Sequence, residues 1–247
     1  MTTNATSTKG VCLVIGAGDA TGGAIARRFA REGFITCVTR RSADKLAPLV
    51  AQIEAAGGKA HAFGSDARKE EEVTALVEQI ESTVGAIEVL VFNIGANVAA
   101  SILEETARKY FKIWEMGCFG GFLNGREVAK RMVTRERGTI IFTGATASIR
   151  GAANFAAFAG AKHALRALAQ SMARELGPLG VHVVHTVIDG AIDTAFIRDV
   201  FPDRYALKAQ DGILNPEHIA DAYWMLHAQP RDAWTHELDL RPYMETF

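Results

Sequence analysis

The chain contains 247 residues, of which 49% are hydrophobic and 22% are charged, and this is enough apolar material for one packed α/β domain. Its formal net charge of −1 gives no basic surface for nucleic acid, so a nucleic-acid partner is not expected. The three cysteines are widely spaced and odd in number, which argues against a disulfide framework and a metal site and favours a reducing compartment.

The predicted elements begin after a polar N-terminal tail. Residues 1–8 lack the apolar core of a signal peptide, and we expect them to be disordered. No apolar run in the chain approaches the length of a transmembrane helix. We therefore expect a soluble, cytoplasmic protein that makes no membrane contact.

Short apolar runs alternate with amphipathic stretches along the rest of the chain. The runs predict strands at 11–16, 34–39, 59–63, 88–93, 139–143 and 181–188. Helices are predicted at 22–33, 42–58, 71–80 and 154–176, the second of them with Ser42 as its N-cap candidate, and a long helical region is predicted at about 104–134. This alternation predicts a Rossmann-type, doubly wound parallel sheet in a three-layer αβα arrangement. No linker or repeat interrupts the pattern, so residues 9–247 are expected to form a single domain.

The turn after the first predicted strand reads GAGDATGG over residues 16–23. Ligands of parallel sheets bind beyond the carboxyl ends of the strands, where glycines let the backbone approach a pyrophosphate at the next helix N-terminus. Glycine-rich turns also occur without a ligand, but a position between a first strand and a helix favours dinucleotide binding. The candidate cofactor contacts in this turn are Gly16, Gly18, Asp19, Thr21 and Gly22.

The choice of cofactor is predicted from the end of the second strand, where Thr39 and Arg40 stand. An acidic residue at this point would hydrogen-bond the ribose 2′-hydroxyl of NAD, and this sequence has none there. The guanidinium of Arg40 suits the 2′-phosphate of NADP instead. The alternative is that Arg40 and Arg41 are solvated surface residues. We predict that NADP(H) is favoured over NAD(H).

These features resemble the short-chain dehydrogenase/reductase (SDR) family over about residues 9–227. Residues 15–22 resemble the family's opening motif T-G-x-x-x-G-x-G, with Ala20 in place of the middle glycine. Further motif matches are Asp66 for the aspartate of the adenine-holding segment, Asn93 and Gly95 for the N-N-A-G segment, and Gly190 and Thr194 for the P-G-x-x-x-T stretch, in which Asp189 replaces the proline. The resemblance implies an oxidoreductase that binds a nicotinamide dinucleotide, with Ile192 and Thr194 holding the carboxamide.

The catalytic residues of the family are where this sequence departs from the pattern. In the family, a Y-x-x-x-K helix supplies a proton-donating tyrosine and a lysine that lowers the tyrosine pKa and binds the nicotinamide ribose. A serine thirteen residues before the tyrosine orients the carbonyl, and an asparagine on the preceding helix supports a proton path. Lys162 matches the lysine, whereas Phe158, Ala145 and Gly117 stand at the tyrosine, serine and asparagine positions. The resemblance therefore implies that only Lys162 keeps its catalytic polar group.

Lys162 lies on an otherwise apolar stripe of its predicted helix. One interpretation is a snorkelling side chain with its ammonium in water; the neighbouring nucleotide motifs favour a ribose clamp in the cleft. Phe158 keeps the shape of a tyrosine ring but has no exchangeable proton, which should weaken carbonyl redox chemistry about 10²–10⁴-fold. Other hydrogen-bonding candidates are Thr143, Thr146, Ser148, His163, His182 and His185, and, in a substrate loop predicted at about 189–214, Asp189, Asp193 and Tyr205. The two strand histidines are more simply explained as satisfied core residues.

Two functions remain open from the sequence. The first is an NADP(H)-dependent oxidoreductase with altered proton chemistry, acting on a carbonyl, an alcohol or an activated C=C group. The second is a catalytically inactive dinucleotide-binding pseudoenzyme that acts as a sensor or as a partner subunit. The helical region at 104–134 and the helix of Lys162 resemble the family's dimer-forming pair, so we expect a homodimer or homotetramer.

Overall fold

The computed structural model describes residues 9–246, so the tail predicted at residues 1–8 lies outside the described part of the chain. Seven parallel strands form one sheet in the order β3-β2-β1-β4-β5-β6-β7. The strands are β1 (Val11–Ile15), β2 (Ile35–Arg40), β3 (Lys59–Gly64), β4 (Ile87–Phe92), β5 (Gly138–Thr143), β6 (Val181–Ile188) and β7 (Glu237–Leu240). The expected Rossmann-type sheet is confirmed, with one strand more than the sequence patterns predicted.

Helices cover both faces of this sheet. They are α1 (Thr21–Arg31), α2 (Ala47–Ala55), α3 (Glu70–Thr83), α4 (Ala107–Trp114), α5 (Gly120–Thr134), α6 (Ala156–Leu176), α7 (Ala195–Val200), α8 (Pro202–Ala206) and α9 (Pro216–His227). The core on one face contains side chains of α1, α2 and α9, and the core on the other face contains those of α3, α5 and α6. The three-layer αβα arrangement is therefore confirmed. β1 and β4 are buried along their whole length, which is why each reads as a continuous apolar run.

The helical region predicted at about 104–134 consists of two helices joined by a π-helical turn, Glu115–Phe119. Gly117 lies in the middle of that turn, where a Cβ would come within 3.0 Å of Ala161 Cβ on α6. A π-turn shifts the apolar pattern by a single residue, so periodicity does not reveal it. Such turns concentrate at functional sites, and this one packs directly against the helix of Lys162.

The start of α2 also differs from the prediction. Ser42 makes no side-chain hydrogen bond to the following amides, and a 3₁₀ turn, Ala43–Leu46, precedes the helix. The helix begins at Ala47, with Pro48 in its first turn. Proline suits the first helical turn because the amide hydrogen that it lacks would have no partner there. Pro48, rather than Ser42, therefore marks the beginning of the helix.

Two elements near the C-terminus, β7 and α9, carried too weak a signal to be predicted. β7 is a half-exposed strand of four residues at the edge of the sheet, so it lacks a long apolar run. α9 begins at Pro216, where Asn215 Oδ1 accepts a hydrogen bond from Glu217 N, and it packs against α1. Between β6 and α9, the predicted substrate loop contains α7 and α8, and a bridge between Ile192 and Leu214 joins its two ends.

No helix within residues 9–246 is both long enough and apolar enough to cross a membrane. Over the same part of the chain, no three His, Cys, Asp or Glu side chains are grouped so that they would hold a metal ion. Cys12, Cys37 and Cys118 are free and buried. Burial raises the pKa of the Cys37 thiol to about 12, so this cysteine behaves as an inert core residue.

Candidate functional site

The carboxyl ends of β1 and β4 meet at the glycine-rich turn. Gly16 has a φ of +84°, and a Cβ there would lie 2.8 Å from Ile94 Cγ1 and 2.9 Å from the Asn93 carbonyl oxygen. At Gly22, a Cβ would lie 2.7 Å from the Gly16 carbonyl oxygen, which also accepts a hydrogen bond from Asn93 Nδ2 at 3.2 Å. Both glycines are therefore required for the turn to fold against the end of β4, before any ligand is considered.

Gly18 differs from these two glycines. A Cβ at Gly18 would meet no atom within 4 Å, so nothing in the described fold requires a glycine there. The residue lies just before α1, whose N-cap position is taken by Ala20, which makes no side-chain hydrogen bond. The first amide groups of α1 are left without a side-chain acceptor, and a helix end of this kind attracts an anionic group.

A cavity of about 430 Å³ adjoins this end of α1. Asp19 and Ala20 line one side of it, and Thr194 and Phe196 line the other. Thr194 Oγ1 accepts a hydrogen bond from Ile197 N at 3.1 Å and so caps α7. The structure thus brings the glycine-rich turn and Thr194, which are far apart in sequence, to a single cavity.

The ends of β2 and β3 carry the other two predicted cofactor contacts. Arg40 is half-buried, and no hydrogen bond or ion pair joins its side chain to another residue within 9–246. Asp66 is held by Arg68, whose Nε and Nη2 donate to its two carboxylate oxygens at 2.8 and 2.6 Å. These hydrogen bonds lower the pKa of Asp66 to about 2. The carboxylate of Asp66 is therefore already satisfied, whereas the guanidinium of Arg40 is available to a ligand.

Lys162 bridges the ends of β4 and β5. Its Nζ donates hydrogen bonds to the carbonyl oxygens of Thr143 at 2.7 Å and Ile94 at 3.1 Å. Only 4% of the residue is exposed, and burial lowers the pKa of the ammonium group to about 8 because the charged form loses its solvation. The snorkelling interpretation is therefore wrong, since the charge lies inside the protein and is held by two backbone dipoles.

The three positions without polar side chains lie around Lys162. Phe158 lies one turn before it on α6 and is half-buried. A Cβ at Gly95 would lie 3.3 Å from Lys162 Nζ and 3.5 Å from Phe158 Cε2, so both side chains pack closely against Gly95. Ala145 follows β5 in an extended conformation, and Gly117 is in the π-turn that packs against α6. The fold therefore assembles these positions although their side chains lack polar atoms.

A buried hydrogen-bonded chain runs behind the loop of Ala145. Ser148 Oγ accepts a hydrogen bond from Ala145 N at 3.1 Å and lies 3.2 Å from His185 Nε2. His185 Nδ1 in turn lies 3.0 Å from Glu237 Oε2. Arg166 donates to both carboxylate oxygens of Glu237, and these hydrogen bonds lower the pKa of Glu237. The chain therefore ends in an ionised carboxylate that is paired with a guanidinium.

The direction of each hydrogen bond in this chain follows from the charges. Burial lowers the pKa of His185 to about 4, so the ring is neutral near pH 7. The carboxylate of Glu237 can only accept, so His185 Nδ1 carries the proton and Nε2 accepts from the hydroxyl of Ser148. His185 is confirmed as a satisfied core histidine. Glu237 escaped the sequence analysis because β7 was not predicted, and no local signal marks it.

The remaining candidate donors are also engaged in contacts. Asp189 is fully buried and accepts hydrogen bonds from Thr146 Oγ1 at 2.5 Å and Arg150 Nη2 at 3.3 Å. Asp193 forms an ion pair with Lys208 at 2.7 Å. His163 Nδ1 lies 2.9 Å from the Ala159 carbonyl oxygen, His182 Nε2 lies 2.8 Å from that of Thr235, and Tyr205 OH accepts from Lys208 Nζ at 3.4 Å. Asp189 thus belongs to the buried base of the loop rather than to a mobile lid.

Comparison with known proteins identifies the family. Residues 10–204 match the sequence profile of the family described as short chain dehydrogenase. The chain belongs to the short-chain dehydrogenase family. A short-chain dehydrogenase/reductase of Armillaria gallica is 34% identical to it over 176 residues, which cover 70% of this chain and 67% of the relative. Sorbitol-6-phosphate 2-dehydrogenase of Escherichia coli is 26% identical over 216 residues, which cover 86% of this chain and 82% of that enzyme.

Solved structures of SDR proteins share the fold. A short-chain dehydrogenase from Rhodopseudomonas palustris has a TM-score of 0.81 and 48% sequence identity, covering 94% of this chain and 98% of that one. A metagenomic short-chain oxidoreductase in complex with NADP has a TM-score of 0.81 and 25% identity, covering 96% of this chain and 99% of that one. This SDR chain therefore has oxidoreductases as its relatives over most of its length.

Proposed function

We propose that this SDR chain is an NADP(H)-dependent oxidoreductase that acts on a carbonyl, an alcohol or an activated C=C group without the tyrosine of its family. The observation that carries the proposal is the buried ammonium of Lys162. Two backbone carbonyls hold this charge beside Gly95, an exposed residue at the carboxyl edge of the sheet. Burying an ammonium group destabilises a fold unless hydrogen bonds or a bound partner compensate the charge. A ribose bound at this edge would use it.

The residues of the chain fit a nicotinamide dinucleotide. The uncapped N-terminus of α1 and the open space at Gly18 suit a pyrophosphate. Lys162 would hold the nicotinamide ribose, and Ile192 and Thr194, at the start of the loop after β6, would hold the carboxamide. The remaining proposed contacts are Gly16, Asp19, Thr21, Gly22, Arg40, Asp66, Asn93 and Gly95. A bound dinucleotide supplies or accepts the hydride, and the chain's own residues must do the rest.

The preference for NADP(H) rests on the end of β2. The side chain of Arg40 makes no hydrogen bond or ion pair with the described residues, and Arg41 lies close enough to Asp66 to lower the pKa of Asp66 further. Positive charge without a dedicated partner at this edge favours a 2′-phosphate over a 2′-hydroxyl. The metagenomic relative whose structure contains NADP supports the same choice.

Two side chains of the cleft, Phe158 and Thr146, determine which substrates fit it. The half-buried ring of Phe158 presents an apolar wall that would exclude water from the reacting atoms. Thr146 Oγ1 donates its proton to the buried carboxylate of Asp189, so towards a substrate it can only accept a hydrogen bond. Thr146 therefore does not replace a serine that donates to a carbonyl. A substrate whose oxygen needs little polarisation fits this cleft best.

The alternative function is a pseudoenzyme that binds the dinucleotide as a sensor or as a partner subunit. The apolar side chains at Phe158 and Ala145 and the tight contact of Gly117 with α6 favour it. The test is anaerobic oxidation of NADPH against a broad panel of carbonyls and enones, with Lys162→Ala as control. Turnover that Lys162→Ala abolishes supports the oxidoreductase. NADPH binding without turnover on any substrate supports the pseudoenzyme, and no binding of either dinucleotide overturns both.

We further propose a homodimer or homotetramer that forms through the helical region of α4 and α5 and through α6, the helix of Lys162. Phe111, Trp114, Phe119 and Phe122 form a row of stacked rings whose successive centroids are 6.1, 6.2 and 6.0 Å apart. Phe111 is 57% exposed, and exposed apolar rows commonly mark interfaces. A monomer of wild type in light scattering would exclude this assembly.

The free, buried cysteines suit a cytoplasmic location for the protein.

A further inference from the structure

The cavity of about 430 Å³ beside the start of α1 has charged side chains on both of its walls. The charged residues that line it are Asp19, Arg27, Asp193, Arg198 and Glu217. A bound anion changes the balance among these charges, so the pairs that they already form determine which of them a ligand can use.

Three of the five charges are compensated inside the protein. Arg27 Nε and Nη2 donate hydrogen bonds to Glu217 Oε1 at 3.2 and 2.6 Å. Asp193 forms its ion pair with Lys208, which does not line this cavity, at 2.7 Å. The charges of Arg27, Glu217 and Asp193 are therefore balanced before any ligand enters.

The carboxylate of Asp19 is not balanced in this way. Within residues 9–246, no hydrogen bond or ion pair joins it to another residue. It stands just before Ala20, at the uncapped start of α1. A pyrophosphate that approached the backbone here would bring further negative charge beside this carboxylate, and like charges at short distance repel each other. Its binding therefore calls for a cation on the other wall of the cavity.

Arg198 carries a cation on that wall. Its backbone N donates to the Thr194 carbonyl oxygen at 3.0 Å, and residues four apart lie on the same side of a helix, so Arg198 follows Thr194 along α7. Among the described residues, its guanidinium hydrogen-bonds the side chain of its neighbour Asp199, at 2.8 and 3.4 Å. These two side chains are 56% and 62% exposed. An ion pair this exposed contributes little stability, so the guanidinium can exchange Asp199 for a ligand.

We propose that Arg198 binds the pyrophosphate of the dinucleotide from the wall of the cavity that faces α1. This inference rests on the proposed function, in which the pyrophosphate lies at the start of α1. An arginine carries five N–H donors in a planar fork that matches two phosphate oxygens, and it stays charged at any working pH. The amides of α1 hold one side of the pyrophosphate and Arg198 holds the other. Because Thr194 is the proposed contact of the carboxamide, α7 fixes both parts of the cofactor.

The pyrophosphate is common to NADPH and NADH, so Arg198 contributes to affinity and not to the choice between them. Arg198→Gln should weaken the binding of both dinucleotides about 10-fold, because one charge-assisted contact is lost. Arg198→Lys keeps the charge without the fork, and its loss should be smaller, about 3-fold. Both losses should shrink as the salt concentration rises, because the attraction is screened.

Fragments of the dinucleotide locate the contact. ADP-ribose contains the pyrophosphate without the nicotinamide, and adenosine 2′-monophosphate contains the 2′-phosphate without the pyrophosphate. Isothermal titration calorimetry measures the affinity of each for wild type and variants. Arg198→Gln should weaken the binding of ADP-ribose about 10-fold and leave that of adenosine 2′-monophosphate unchanged. The matched control is Arg204→Gln, at an exposed arginine of α8 that does not line the cavity. Thermal denaturation checks that each variant is folded.

Equal losses for NADPH, NADH and ADP-ribose in Arg198→Gln support the inference. Four results overturn it while the proposed function stands: unchanged affinities, a loss confined to NADPH, a loss that extends to adenosine 2′-monophosphate, or an equal loss in Arg204→Gln. Failure of wild type to bind either dinucleotide removes the proposed function and this inference with it.

Discussion

The carboxyl edge of the sheet, where the dinucleotide is proposed to bind, has two halves. One is built mainly from backbone groups and the other from side chains. The turn after β1 and the end of β4 are built mainly from backbone: Gly16 and Gly22 lie close to other backbone atoms, and one side chain, that of Asn93, hydrogen-bonds the Gly16 carbonyl oxygen. The loop after β5 and the start of α6 depend on side chains, and there Ala145 and Phe158 carry no polar atom. A site built from backbone survives most substitutions, whereas a site built from side chains changes its chemistry with a single one. The first half is therefore the more tolerant of substitution, and the second half is the more sensitive to it.

Polar groups are present in the second half, but they lie one layer below the cleft. His185 lies on β6 and Asp189 directly follows that strand, and each contacts a residue of the loop after β5. His185 bonds Ser148, and Asp189 accepts a hydrogen bond from Thr146. These contacts hold the loop in place without presenting an acid to the substrate. The difference between the halves is thus one of where the polar atoms are placed.

The largest expected effect comes from returning polar atoms to the second half. Phe158→Tyr with Ala145→Ser should raise NADPH-dependent carbonyl reduction about 10²–10³-fold, because the new phenol lies one turn from the charge of Lys162. Both positions are partly exposed, which leaves room for the added oxygens. Rates on the same substrate panel and thermal denaturation measure the result, with Phe158→Tyr alone as control. A folded, NADPH-binding double variant at the wild-type rate would show that the cleft has been remodelled.

The second effect is the pH dependence of stability that the buried hydrogen bonds of Ser148, His185 and Glu237 produce. The pKa of His185 is about 4 when folded and about 6.5 when unfolded, so between these values the unfolded state binds more protons. Stability from this residue is therefore present above pH 6.5 and is lost as the pH falls towards 4. When the pH falls from 6.5 to 4, the free energy of unfolding of wild type should fall by about 3 kcal/mol more than that of His185→Gln. Urea denaturation measures it, with the exposed His163→Gln as control; parallel curves would disprove a neutral His185.

The third effect tests the glycine-rich turn after β1 by a substitution at Gly18. Gly18→Val should weaken NADPH binding about 100-fold, because the added side chain would occupy the open space before α1 that is proposed for the pyrophosphate. The protein should stay folded, because a Cβ there meets no other atom. Gly16→Val and Gly22→Val are less informative, since a Cβ at either position collides with backbone and threatens the fold. Fluorescence titration with NADPH measures the loss. Gly177→Val, at another glycine with open space around it, is the control. Unchanged affinity in Gly18→Val would move the pyrophosphate site elsewhere.

The smallest effect concerns the 2′-phosphate. Arg40→Ala should weaken NADPH binding about 10-fold and leave NADH binding unchanged, because it removes one charge-assisted contact. Arg41→Ala, the neighbouring exposed arginine, is the matched control. Paired fluorescence titrations with the two dinucleotides measure the change in preference. Equal affinity of wild type for NADPH and NADH would contradict the predicted cofactor choice.

The sequence alone determined the alternation of strands and helices and which residues follow each predicted strand. Strand and helix patterns are local, so β1 to β6 and the spacing of Phe158 and Lys162 on α6 were readable without the fold. The strand that was missed, β7, lies at the edge and is half-exposed, and so it carries no apolar run. The split of the helical region at Gly117 was missed because a π-turn displaces the pattern by only one residue.

Only the tertiary structure decided how the polar groups are shared. Lys162 bonds the Ile94 carbonyl, 68 residues away in sequence, and His185 bonds Glu237, 52 residues away. Such pairs depend on which strands are neighbours and on their register, and neither is encoded in local periodicity. The depth of Lys162 below the surface was likewise set by packing from β4, β5 and α6 together. Whether its charge is solvated or buried, and hence how readily it gives up a proton, is therefore a property of the assembled sheet edge.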